Sequence, residues 1–92
     1  MSGSCERLVT LPPDVDLHAR PAAQFVRIAM AQDATVVVAA GAREADAKSL
    51  LEVMALGAKR GSRLSLRAEG DGADAALDAL AACVAGLVET HA

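Results

Sequence analysis

Residues 17–30 read LHARPAAQFVRIAM. Ala22, Phe25, Val26 and Ala29 fall at i, i+3, i+4 and i+7, which is one face of a helix. Pro21 sits in the first turn, where its missing N–H is harmless and its fixed φ suits the helix. The spacing therefore predicts a helix that begins just after His18. Upstream, Cys5 to Leu11 reads as a strand stopped by Pro12-Pro13-Asp14, and Asp14 to His18 as a loop. Downstream, the β-branched run Ala34 to Ala40 reads as a buried strand. Gly41-Ala42 turns the chain, and Arg43 to Ala47 supplies a partner strand. Ser49 to Leu56 reads as a short helix opened by an S-x-x-E capping box and closed by Gly57. Arg63 to Ala68 alternates as a half-buried strand does. Gly70-Asp71-Gly72 then leads into a last helix from Ala73 to about Glu89, with Leu77, Leu80, Val84, Leu87 and Val88 as its apolar stripe.

The order is β-α-β-β-α-β-α. Short turns and clean alternation favour a four-stranded antiparallel sheet with three helices on one face and water on the other. This is an α+β open-faced β-sandwich. With 92 residues the chain is expected to form a single domain, its core spanning about residues 5–89. Aromatics are 1%, which argues against recognition of single-stranded nucleic acid by stacking. A formal net charge of −3 leaves no basic footprint for nucleic acid. The longest apolar run, Ala79 to Val88, falls short of the roughly 20 residues of a membrane helix. Cys5 and Cys83 form no CxxC, and no cysteine–histidine set suits zinc. The start MSGSCERLV lacks the basic and apolar regions of a secretory signal. The expectation is a cytoplasmic protein with two buried, inert thiols, no cofactor and no metal.

His18 lies at the mouth of the predicted helix, where free N–H groups and the positive end of the dipole favour an anion. Arg20 adds donors matched to phosphate oxygens. A neutral imidazole there is a nucleophile able to accept a phosphoryl group. The same residues also suit a histidine that merely begins a surface helix. His91 reads as part of a C-terminal tail. Ser49 caps the short helix, and its hydroxyl, beside Lys48, is also a candidate for regulatory phosphorylation. That helix carries Leu50, Leu51, Val53, Met54 and Leu56, more apolar surface than one core-facing stripe needs. The pattern leaves open whether the excess is a partner surface or a helix buried on most sides. Lys59, Arg60 and Arg63 read as a solvated basic edge.

Leu17-His18-Ala19-Arg20-Pro21-Ala22, followed by Lys48-Ser49-Leu50-Leu51-Glu52-Val53-Met54-Ala55-Leu56-Gly57-Ala58, resembles the HPr family. These are the histidine-containing phosphocarriers of the phosphoenolpyruvate:sugar phosphotransferase system. The likeness runs from about Leu8 to Val88. It implies a carrier rather than an enzyme in its own right. His18 would take a phosphoryl group on Nδ1 from phospho-Enzyme I and pass it to an enzyme IIA domain. Arg20 matches the active-centre arginine and Pro21 the helix-starting proline. Ser49 matches the serine that some bacteria phosphorylate with an ATP-dependent HPr kinase/phosphorylase. Leu50, Leu51 and Met54 match the family's apolar docking surface, with Ala19, Pro21, Arg27 and Arg20 beside it. Val53 and Leu56 are then left for the core.

Two positions depart from the family. Asp16 stands where the family usually has glycine, and its charge is expected to oppose the phosphoryl group. Glu52 supplies the capping box, and its charge would oppose a phosphate on Ser49. One rival reading keeps the fold but makes the chain a regulatory docking module with an impaired His18. Another is an acylphosphatase-like hydrolase using Arg20. That chemistry needs a positioned asparagine, and the chain contains none.

Overall fold

The computed structural model describes residues 3–88. The elements are β1 (Gly3–Thr10), α1 (Ala19–Met30), β2 (Thr35–Ala40), β3 (Arg43–Asp46), α2 (Leu50–Ala55), β4 (Arg63–Gly70) and α3 (Ala73–Ala85). The strands form one sheet in the order β1-β4-β2-β3, and every neighbouring pair is antiparallel. This is the open-faced α+β sandwich expected from the pattern.

Alternation along the strands decides which face the helices cover. In β4, Leu64, Leu66 and Ala68 are buried, while Arg63, Ser65, Arg67 and Glu69 point the other way. Val36 and Val38 of β2 join the buried set. The cross-strand row Leu8, Ser65, Ala39 and Glu44 lies on the open face, where Leu8 is exposed. Phe25, Val26 and Ala29 of α1 and Leu77, Leu80 and Val84 of α3 close the core from the other side. No polar or charged side chain is buried among the described residues.

The connection between β1 and α1 belongs to the core rather than the surface. Leu11, Val15 and Leu17 are all buried. The Val15 amide donates to the Pro12 carbonyl at 3.2 Å, and the Leu17 amide donates to the Ala58 carbonyl at 3.0 Å. Burial of Leu17 therefore fixes the backbone one residue before His18.

Three expectations are corrected. The last helix ends at Ala85, with Gly86 as its C-cap, so it does not run on toward Glu89. Glycine loses helix propensity and readily closes a helix. Beyond it the chain leaves the helical register: Leu87 is buried, but Val88 is exposed and does not continue the apolar stripe. Glu89 and His91 lie outside the described residues. The cysteines are half-buried rather than buried. Cys5 donates its thiol to the Asp74 carboxylate at 2.9 Å, a bond that raises its pKa. Burial raises the pKa of Cys83. The capping box at Ser49 is only half formed. Ser49 Oγ accepts the Glu52 amide at 3.3 Å, while Glu52 Oε1 accepts from the Asp46 amide at 3.0 Å.

Candidate functional site

His18 is the N-cap of α1 and has an extended backbone, φ −145° and ψ 159°. Its side chain makes no capping hydrogen bond, so the imidazole is exposed and uncommitted to the helix. Its own amide donates to the Asp16 carbonyl at 2.9 Å, and its carbonyl accepts from the Ala22 amide at 3.4 Å. The next residue, Ala19, takes φ +48°, in the left-handed region that L-residues rarely occupy. The chain therefore turns abruptly between the buried Leu17 and the buried Pro21, with His18, Ala19 and Arg20 exposed on the outside of the bend.

In the first turn Ala22 bonds back to His18 and Pro21 has no N–H. Helix geometry thus leaves the Ala19 and Arg20 amides as the free donors at this end. No acidic residue occupies the first turn. Arg20 and Arg27 are exposed, seven residues apart on one face, and neither forms an ion pair among the described residues. The arrangement is an imidazole beside amide donors, a helix-dipole terminus and an unengaged guanidinium. It suits a dianionic group held next to a ring nitrogen.

Helix α2 packs against α1. Val53 and Leu56 are buried, as expected of the core pair. Leu51 is 83% exposed and Leu50 41%. Met54 is partly buried and packs against the core. The excess apolar surface of α2 is therefore mostly on the outside, beside the helix that carries Arg20 and Arg27. Ser49 is half-buried at the N-cap of α2. Lys48 extends its ammonium to the Gln32 carbonyl at 2.8 Å, away from a role as counter-charge to Ser49.

Asp16 has a partner that the sequence reading did not name. Its carboxylate is engaged by Arg60: the Arg60 amide donates to Oδ1 at 2.8 Å, and Nη2 contacts Oδ2 at 3.2 Å. These bonds hold the Asp16 carboxyl below its ordinary pKa. Reading Arg60 as part of a solvated basic edge missed this contact. The two residues are 44 positions apart, and opposite charge was the one available signal.

Among the described residues no group of histidine, cysteine, aspartate and glutamate is placed to hold a metal ion, and no helix is long and apolar enough to cross a membrane.

The sequence model of the family described as "PTS HPr component phosphorylation site" matches residues 5–86. The chain is 40% identical over 77 residues to the phosphocarrier protein HPr of Vibrio cholerae, covering 84% of this chain and 91% of that protein. It is 44% identical over 81 residues to the HPr of Streptomyces coelicolor, covering 87% of each. Among solved structures, HPr from Bacillus anthracis superposes with a TM-score of 0.84 at 34% identity, covering 88% of this chain and 96% of that one. HPr-C-His from Thermoanaerobacter tengcongensis also gives 0.84, at 33% identity, covering 88% and 91%.

Proposed function

This chain belongs to the HPr family and is a phosphocarrier of the phosphotransferase system rather than an enzyme in itself, and we propose that His18 is the residue that carries the phosphoryl group. The observation that supports this is the setting of His18. Its imidazole is exposed and makes no capping bond, at a helix N-terminus with no acid in its first turn.

The step is a nucleophilic displacement. The Nδ1 lone pair of His18 attacks the phosphorus of phospho-Enzyme I, a P–N bond forms, and the bond from phosphorus to the donor atom breaks, its electron pair leaving with the donor. The new charge is met by the Ala19 and Arg20 amides and by the Arg20 guanidinium. The second step reverses the roles, with an enzyme IIA domain as acceptor. The carrier supplies a preorganised nucleophile, and the partners supply the rest of the transition-state stabilisation. No cofactor or metal of its own is required for this chemistry.

Phosphotransferase partners such as Enzyme I and IIA follow from the family. Their docking surface is read as Leu50, Leu51 and Met54 on α2 with Ala19, Pro21 and Arg27 on α1. The first four expose or half-expose apolar surface and Arg27 adds charge; Pro21 itself is buried and acts by starting the helix. A cytoplasmic location accords with partners of this kind. Ser49 is retained as the candidate for an HPr kinase/phosphorylase. The adjoining Glu52 and Asp46 would oppose a phosphate there electrostatically. The docking-module alternative rested on Asp16 spoiling the histidine site, and the Asp16–Arg60 contact removes its main support.

The test is intact mass after incubation with Enzyme I, magnesium and phosphoenolpyruvate, in parallel with His18→Ala. The expected result is one acid-labile phosphoryl group on the native chain and none on the variant. A folded native chain that gains nothing from active Enzyme I would overturn the proposal.

A further inference from the structure

We propose that Arg60 is a positioning residue for phosphoryl transfer at His18, acting through Asp16. The inference rests on the reading of His18 given above. Asp16 lies two residues before His18, so a bare carboxylate there would repel the incoming phosphoryl group and the phosphate once bound. Instead both of its oxygens face Arg60. Oδ1 accepts the Arg60 amide at 2.8 Å and Nε at 3.4 Å, and Oδ2 accepts Nη2 at 3.2 Å. At the other end of the same residue, the Asp16 carbonyl accepts the His18 amide at 2.9 Å. Asp16 is thus held by Arg60 on one side and holds the His18 backbone on the other.

The loop that carries Arg60 is itself a firm platform. The Ala58 carbonyl accepts the Leu17 amide at 3.0 Å, the Pro12 carbonyl accepts the Gly61 amide at 3.0 Å, and the Ser62 carbonyl accepts the Leu11 amide at 2.8 Å. Ala58, Leu11 and Leu17 are buried. The α2–β4 loop and the histidine loop are therefore bonded to each other, and Arg60 fixes the direction in which Asp16 points.

An ordinary surface ion pair would do little, and these side chains are 61% and 36% exposed. Two features set this one apart. One donor is the Arg60 backbone amide, which needs no ordering of a long side chain. Asp16 is also only two residues from His18, where negative charge arrives, and its carbonyl accepts the His18 amide. Removing the guanidinium would leave Asp16 partly unneutralised and less well oriented beside His18. Removing the Asp16 charge as well would relieve the fault.

The test measures the rate constant and KM for phosphoryl uptake from phospho-Enzyme I in the native chain, Arg60→Ala, Arg60→Lys, Asp16→Asn and the double variant Asp16→Asn/Arg60→Ala. Amide NMR spectra confirm the fold. The expected result is a rate constant about fivefold to tenfold lower in Arg60→Ala at saturating Enzyme I. Arg60→Lys should recover most of it, and the double variant should return to within about twofold of Asp16→Asn. Should Arg60→Ala fail to fold, Arg60→Gln keeps the stem and the amide contact and is read the same way. A native rate in the Arg60 variant overturns the inference. So does a change confined to KM, or a double variant as slow as Arg60→Ala, since Arg60 would then act on the partner directly. Each of these leaves the His18 reading intact. A native chain that takes up no phosphoryl group overturns that reading, and this inference with it.

Discussion

The Ser49 hydroxyl accepts the Glu52 amide at 3.3 Å, but the Glu52 carboxylate turns away from Ser49 to the Asp46 amide at 3.0 Å. The cap and the brace are separate devices. Ser49 satisfies an orphan donor of α2, and Glu52 ties α2 to the end of β3. Because α2 has six residues, its ends matter as much as its interior. Ser49→Ala is expected to cost about 1 kcal/mol. Urea unfolding should show a lower midpoint at unchanged slope. An unchanged midpoint would mean that packing of Val53 and Leu56 alone holds α2 in place.

Phe25 is the sole aromatic residue and is fully buried. Phe25→Ala should cost about 3–5 kcal/mol, a large share of the total stability of a domain this small. Thermal or urea unfolding measures the loss. A loss below about 1 kcal/mol would show that the alanine-rich surroundings collapse into the space.

Leu87 and Val88 are adjacent but differ in burial, 3% against 63% exposed. Leu87→Ala should destabilise by about 2–5 kcal/mol, whereas Val88→Ala should stay within about 0.5 kcal/mol. Equal effects in urea unfolding would contradict this difference in burial.

Leu51 is the most exposed large apolar residue of α2. Leu51→Ala should leave stability within about 0.5 kcal/mol of native. The KM of Enzyme I for the protein should nevertheless rise, by about threefold to tenfold, with kcat little changed. Unchanged steady-state kinetics would remove Leu51 from the docking surface.

Two titrations have definite signs. The Asp16 carboxyl is held below its usual range by Arg60, so its contribution is present above the unfolded value and is lost as pH falls through the lower folded one. The Arg60 amide resonance should therefore move at a pH below the ordinary carboxylate range. Cys83 is pushed up by burial, so the fold favours the thiol. That contribution is full below the unfolded value and is lost as pH rises through the folded one. Alkylation of Cys83 by iodoacetamide should become fast only at higher pH than for a free thiol, and urea should abolish the difference. Reaction at the free-thiol profile in the folded protein would contradict the burial.

Much of the fold was legible because its signals are local. The period of Ala22, Phe25, Val26 and Ala29 and the alternation at Leu64 and Leu66 each depend on residues a few positions apart, and the elements formed where those patterns lie. The end of α3 was harder to read, because the apolar run continues through Leu87 and Val88 while Gly86 stops the helix beneath it. The division of α2 into buried Val53 and Leu56 and exposed Leu50 and Leu51 needed the packing partner, since two turns of apolar residues suit either side.

By itself the sequence determined the α+β sandwich and placed His18, Arg20 and Pro21 at the start of a helix, because capping chemistry and hydrophobic period act within a turn or two. It also exposed Asp16 as an unusual charge beside that helix. What became of the charge was decided only by tertiary structure. Burial of Leu17 and its bond to Ala58 bring the histidine loop against the turn that carries Arg60. Such a contact joins residues 44 positions apart. Its partner is chosen by the packing of the core and not by any local pattern, because ionic attraction specifies distance in space and not separation along the chain.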